Sequence, residues 1–105
     1  MANTAKVLAR TAASTTTTTN LYTVPSATTT VVTSIAVTNT SASSRTFTMA
    51  LGPSGSTVAL FTAVSIAANT TTIIDCKQVL TASQVITGGA STTDVMFHIS
   101  GMEIA

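Results

Sequence analysis

The 105-residue chain has few of the side chains that usually build binding and catalytic sites. It has no Trp, aromatic residues make up 4% of it, and charged residues make up 7%. Its core must therefore be built almost entirely from aliphatic side chains. Proteins that bind nucleic acid usually cluster their cations, whereas the four cations here are dispersed: Lys6, Arg10, Arg45 and Lys77. We therefore expect no nucleic-acid partner.

Carboxylates, histidine and cysteine are equally scarce. There are three acids, and Asp94 and Glu103 would lie roughly 30 Å apart on one straight strand, too far for a glycosidase pair. Cys76 has no partner for an internal disulfide, and a small buried thiol is its simplest role. His98 matches no nucleophile-elbow or zinc-ligand pattern. The sequence therefore predicts no catalytic, cofactor-binding or metal-binding residue, and hence a protein that is not an enzyme.

The chain has no long apolar run. The segment Met1–Arg10 lacks the apolar stretch of a signal peptide, and nothing approaches the roughly 20 apolar residues of a membrane-spanning helix. We therefore expect no membrane partner and synthesis in the cytoplasm.

Hydroxyl side chains are abundant instead. The sequence has 25 Thr and 12 Ser, about a third of the chain. Thr favours strands, since its branched Cβ packs well on a pleated surface. Disordered Ser/Thr-rich tracts lack dispersed aliphatic residues, whereas Val, Ile and Leu recur here from Val7 to Ile104. The composition therefore indicates one folded domain over residues 1–105.

A two-residue period of apolar side chains predicts strands. It places Val31, Thr33, Ile35 and Val37 on one face, and it recurs in Arg45–Leu51 and in Asp94–Ile104. The core should contain Phe47, Phe97, Ile35, Val37 and Ile99. Shorter candidate strands are Lys6–Ala12, Leu21–Val24, Val58–Phe61, Val64–Ala67, Thr71–Cys76 and Gln84–Thr87.

Turn residues separate these candidate strands. Gly52–Gly55 and Gly88-Gly89 are predicted hairpin turns, and Lys77–Ser83 is the one segment that could form a turn of helix. Seven to nine short strands without crossover helices predict an all-β antiparallel sandwich resembling a jelly roll.

Residues 1–20 form a possible N-terminal strand or arm followed by a Thr-rich linker. The run Ser14–Asn20 contains five consecutive Thr and no apolar residue. It could be a solvated loop between the first two strands. It could instead let residues 2–13 pair with a neighbouring subunit, because seven extended residues span up to roughly 25 Å.

Several segments together resemble small virion proteins of tailed bacteriophages. The resemblance covers most of the chain from Lys6 onward, and it lies in Leu21–Pro25, Val31–Thr40, Ser65–Thr70, Ile74–Leu80 and Phe97–Glu103. Proteins of that kind look like capsid decoration (cement) proteins or tail-accessory pieces built as β-sandwich modules that form oligomers.

The resemblance implies a virion structural protein. Our leading hypothesis is a decoration protein that binds and stabilises the head shell. Its partners would be the major capsid protein or another virion protein, and further copies of itself. Exposed edge strands with little Lys and no internal Pro favour such self-association, for which a trimer is the expected form. The alternative is a tail, baseplate or fibre component that helps to bind a host surface.

Overall fold

The computed structural model describes residues 3–105, which form nine strands and no helix. The strands are β1 (Asn3–Ala12), β2 (Asn20–Thr23), β3 (Thr29–Asn39), β4 (Arg45–Pro53), β5 (Val58–Ile66), β6 (Thr70–Ile74), β7 (Gln78–Leu80), β8 (Gln84–Ala90) and β9 (Val95–Ile104). Every pair of neighbouring strands is antiparallel. The predicted all-β sandwich is therefore confirmed.

The strands form two sheets whose connections repeatedly cross between them. Sheet A has the order β1-β9-β3-β6, with β7 also paired to β3, and sheet B has the order β2-β8-β4-β5. If the short strands β6 and β7 count as one interrupted strand, each sheet has four strands. Eight strands in two such sheets with Greek-key connections are the jelly-roll arrangement. It leaves β1 and β2 as edges on one side of the sandwich and β5 and β6–β7 as edges on the other.

The core lies between the sheets and contains all five residues predicted for it. Ile35, Val37 and Ile99 are fully buried in sheet A. The Phe47 ring of sheet B contacts the Phe97 ring of sheet A edge to face, with ring centroids 6.2 Å apart. Phe61 of sheet B packs on Phe47 in turn, with ring centroids 5.5 Å apart, so aromatic contacts link the two sheets in the absence of Trp.

A bulge in β3 corrects the predicted face of that strand. Val32 pairs with Gly101 and Ser34 pairs with Ser100, so Thr33 is an extra residue opposite no partner. An extra residue reverses the alternation of a strand. Val32 therefore faces the core together with Ile35 and Val37. Val31 and Thr33, which the simple two-residue period placed inward, do not share that buried face.

A second bulge joins the two strands predicted at Val58–Phe61 and Val64–Ala67 into the single edge strand β5. Phe47 pairs with Val64 and Met49 pairs with Phe61, so Thr62 and Ala63 lie opposite Thr48 alone. Ala63 has a φ of 48°, and its amide donates to the Thr48 hydroxyl at 3.0 Å. The Thr48 hydroxyl oxygen thus accepts a hydrogen bond from a backbone amide that, in a regular sheet, would donate to a backbone carbonyl.

Two local predictions are wrong because tertiary contacts override local tendencies. The segment Lys77–Ser83 contains no helix: its first half is β7, which pairs with β3 through Val31 and Val79. Gly88 and Gly89 lie within β8 and do not form a turn. A Cβ on Gly89 would lie 2.5 Å from the Thr16 carbonyl oxygen. Glycine is therefore required at this position for close approach of two backbones.

The Thr-rich run connects β1 of sheet A to β2 of sheet B, and its backbone is bonded to β8. The amide of Ala90 donates to the Ser14 carbonyl, and the amide of Gly88 donates to the Thr19 carbonyl, both at 2.9 Å. The loop thus provides hydrogen-bond acceptors for β8 amides that lie past the point where β2 stops pairing with β8. The described part of the N-terminal segment pairs along its length with β9 of the same chain.

Candidate interaction surfaces

The ionisable side chains are spread over different parts of the sandwich. Asp94 and Glu103 lie at opposite ends of β9, and His98 is exposed between them on its outer side. Asp75 and Lys77 form an exposed ion pair of 3.3 Å in the link between β6 and β7. Within residues 3–105, no three His, Cys, Asp or Glu side chains lie together as metal ligands would. No helix long and apolar enough to cross a membrane occurs in this part of the chain.

One polar cluster ties the two sheets together. The Tyr22 hydroxyl of sheet B donates to Glu103 Oε2 at 2.5 Å and lies 2.9 Å from the hydroxyl of the fully buried Thr30. Lys6 Nζ on β1 lies 3.3 Å from the same carboxylate. Burial and the bond to Glu103 raise the pKa of Tyr22 to about 12. The Tyr22 bond, helped by Lys6, lowers the pKa of Glu103. The cluster fixes β2 against sheet A.

Cys76 lies half-buried against the core in the link between β6 and β7. Burial, followed by the nearby negative charge of Asp75, raises the pKa of its thiol. Since thiolates are the reactive form of cysteine, this position makes Cys76 a less reactive thiol than an exposed one. Cys76 is thus only partly buried, whereas the sequence predicted a buried side chain.

Sheet A presents a largely apolar outer face. Residues that pair across a sheet point to the same side, and the register places nineteen side chains outward. The apolar members are Ala5, Val7, Ala12, Val31, Ala36, Ile73, Val79, Met96, Met102 and Ile104, and the others are Asn3, Arg10, Thr29, Thr33, Ser34, Thr38, Thr71, His98 and Ser100. Three of its residues are large, exposed hydrophobics: Ile73 is 73% exposed, Val79 64% and Val7 46%.

Sheet B presents an outer face that is richer in hydroxyls and partly covered. Its outward residues include Asn20, Thr46, Thr48, Ser65 and Thr87. The Ser14–Thr19 loop lies over Gly89 on this face. Beside the loop is a cavity of about 240 Å³, lined by Thr18, Asn20, Ser54, Gly55, Thr57, Val85 and Thr87. Its lining has neither the aromatic rings nor the carboxylates that commonly bind sugars.

A comparison with solved structures finds a similar fold in a virus. One chain from a structure of infectious bursal disease virus, Gx strain, superposes with a TM-score of 0.57 and 14% sequence identity. The superposition covers 97% of the present chain and 32% of the viral chain. The present chain thus spans about a third of the length of that neighbour. This likeness concerns the fold.

No protein-family model and no curated protein matches the sequence. The resemblance to virion proteins of tailed bacteriophages stays a prediction. The comparison adds a viral structure with the same fold, and that virus is not a tailed phage.

Sequence reasoning found neither the Tyr22 cluster nor the outer face of sheet A. Tyr22 and Glu103 are 81 residues apart, and each looks ordinary in its own strand. The outer face of sheet A was hidden by the bulge at Thr33, which exchanges the inward and outward sets within β3. One signal was present in the sequence: β9 carries Met96 and Met102 on the face opposite Phe97, so both of its faces contain apolar residues.

Proposed function

We propose that this protein is a virion structural protein, specifically a capsid decoration protein that binds and stabilises a head shell without catalysing a reaction. The observation that supports this most is the jelly-roll fold, shared over 97% of the chain with a chain of a virus structure. Double-sheet jelly rolls occur in viral capsid, lectin and cupin domains. Of these three classes, a viral capsid domain is the one that needs no cluster of ligand-binding side chains.

The surface chemistry supports attachment to another protein. A surface rich in hydroxyls and poor in charge costs less to desolvate than a charged one. Many copies on a repeating shell would turn a modest affinity for each site into firm overall attachment. The partner in this proposal is the major capsid protein or another virion protein, and the protein acts as a homo-oligomer in the virion.

The ionisable groups also favour a structural role. Glu103 is held by Tyr22 and Lys6, Asp94 lies 3.6 Å from Arg45, and Asp75 pairs with Lys77. All three carboxylates of the chain thus have a cationic neighbour within ion-pair distance. In these contacts no two of the three carboxylates lie together as a general acid–base pair would.

The number of copies per particle tests this proposal. Quantitative mass spectrometry of purified virions from the source of the gene should find hundreds of copies, with removal of the protein lowering the temperature at which the heads break. A few to a few dozen copies would indicate a tail, baseplate or fibre component instead. Absence from virions would contradict both functions.

A further inference from the structure

The outer face of sheet A is large enough for a stable protein contact. Four strands spaced about 4.8 Å apart and eleven residues rising about 3.3 Å each give a face of roughly 700 Å². It is the broad side of a slab whose extents are 45 × 26 × 18 Å. Two such faces in contact would bury about 1,400 Å² in total, within the usual range of specific interfaces, 1,200–2,000 Å².

The face is poor in charge, as the centres of protein interfaces are. Ten of its nineteen residues are apolar, and Arg10 is its one member with a permanent charge. Three large hydrophobic side chains, Val7, Ile73 and Val79, are exposed on it, and exposed apolar side chains surrounded by polar ones are typical of contact sites. Arg10 lies on the edge strand β1, at the rim of the face, where its charge can remain partly in water.

Arg10 and Asp75 lie at opposite edges of the face and at similar heights along the strands. Arg10 is on the β1 edge, in the row formed by His98, Ala36 and Ile73. On the opposite edge, Asp75 follows Ile73 by two residues and is 76% exposed in its side chain. Two residues along a strand span about 7 Å, which an arginine side chain can reach across. Lys77 lies 3.3 Å from Asp75 in the same chain, so Arg10 of a second copy would share this carboxylate with Lys77.

We propose that two copies of this chain pack sheet A against sheet A about a two-fold axis parallel to the strands. This axis places β1 of one copy over the β6–β7 edge of the other. Arg10 then faces Asp75 of the second copy, and Ile73 and Val79 of each copy cover the small side chains of β1. A two-fold contact uses the same patch on both copies, so the contact closes at a dimer, in place of the trimer expected from edge-strand pairing. The inference does not rest on the role proposed in the virion.

Analytical ultracentrifugation of the purified full chain tests the contact. We expect a dimer at micromolar concentration. Ile73→Asp should raise the dimer dissociation constant at least a hundredfold, because two carboxylates would be buried in an apolar contact. Ser65→Asp is the matched control, since it places the same charge on an exposed edge-strand position of sheet B, and it should leave the dimer unchanged. Thermal unfolding confirms that both variants are folded.

A charge exchange tests the orientation. Arg10→Glu and Asp75→Lys should each weaken the dimer about tenfold, and the double variant should recover most of the affinity. A monomeric or trimeric wild-type protein would overturn the proposal, as would a dimer that tolerates Ile73→Asp. If the loss of dimer affinity in the double variant equalled the sum of the losses in the two single variants, the assigned axis would be wrong. Val79→Asp repeats the apolar test at a second position.

Discussion

The two sheets of the sandwich expose different side chains on their outer faces, although their inner faces pack into one core. Sheet A exposes Ile73, Val79 and Val7 around a centre of small residues. The outer face of sheet B carries Thr46, Thr48, Ser65 and Thr87, and part of it lies under the Ser14–Thr19 loop. Its exposed valines, Val58 and Val64, lie on the edge strand β5 opposite inward-facing residues. The inner faces, in contrast, build one shared core, in which Phe97 of sheet A packs on Phe47 of sheet B and Phe47 packs on Phe61. The fold requires only the inner faces, so the difference between the outer faces points to function.

The largest expected effect concerns the shared core. Phe97→Ala and Phe47→Ala should each lower the free energy of unfolding by about 3–5 kcal/mol, a large part of the roughly 5–15 kcal/mol typical of a domain. Both rings are fully buried, and each loses its contact with the other. Urea unfolding followed by circular dichroism measures the loss. A cost confined to one of the two variants would show that the sheets do not contribute equally.

The next largest change in stability is expected where the Ser14–Thr19 loop packs on Gly89 of sheet B. Gly89→Ala places a methyl group against the Thr16 and Ser14 carbonyls, and such overpacking typically costs about 1–3 kcal/mol. The displaced loop would release the amides of Gly88 and Ala90, so hydrogen exchange at these two amides should accelerate. Ser65→Ala, on the same face away from the loop, should leave both amides protected. Unchanged exchange in Gly89→Ala would mean that the loop does not hold β8.

The hydrogen bond between Tyr22 and Glu103, which links the two sheets, can be tested by titrating the Tyr22 hydroxyl. Tyr22 is the only tyrosine in the chain, so its ultraviolet absorbance can be titrated without interference from others. The folded protein should titrate near pH 12 and the urea-unfolded protein near 10. Because folding raises this pKa, the stabilisation is complete below pH 10 and is lost as the pH rises towards 12.

Tyr22→Phe removes the hydrogen bond to the Glu103 carboxylate and should cost about 1.5 kcal/mol at neutral pH. The variant should also lack the decrease in folding stability between pH 10 and 12 that ionisation of Tyr22 causes. For Glu103 the sign is opposite: its pKa is lowered on folding, so its stabilisation is present at neutral pH and is lost in acid. A folded-state titration of Tyr22 at its ordinary pH would refute the link.

The smallest effects are expected at the two residues that could have been reactive. His98→Asn changes an exposed side chain, and Cys76→Ser changes a half-buried one. Each should alter the free energy of unfolding by less than about 1 kcal/mol, as measured by thermal unfolding. Loss of a specific catalytic turnover in either variant, with the fold unchanged, would contradict the non-enzymatic role.

The sequence allowed the sandwich, most of its strands and its core to be predicted, because these depend on alternation within single strands. Ile35 and Val37 in β3, and Phe97 and Ile99 in β9, follow the two-residue period without interruption. The bulge at Thr33 and the strand β7 could not be predicted in this way. Both depend on residues far away in the chain, Ser100 and Val31 respectively.

The candidate surface was harder to predict than the fold. Its definition requires the register of four sequence-distant strand pairings, and a shift of one residue would exchange the two faces of a strand. Gly89 shows the same limitation. Its sequence neighbourhood resembles a turn, and only the position of the Ser14–Thr19 loop reveals why a side chain is excluded.

The bulge in β5 has a consequence for behaviour at high concentration. This edge strand is nine residues long, has no charge, and is largely exposed, which are properties that promote edge-to-edge polymerisation of sheets. The left-handed Ala63 and the amide bond to the Thr48 hydroxyl distort its middle, so a neighbouring strand cannot pair along its full length. The distortion therefore disfavours pairing of β5 with the edge of another sandwich, which is the contact that leads to fibrous aggregation.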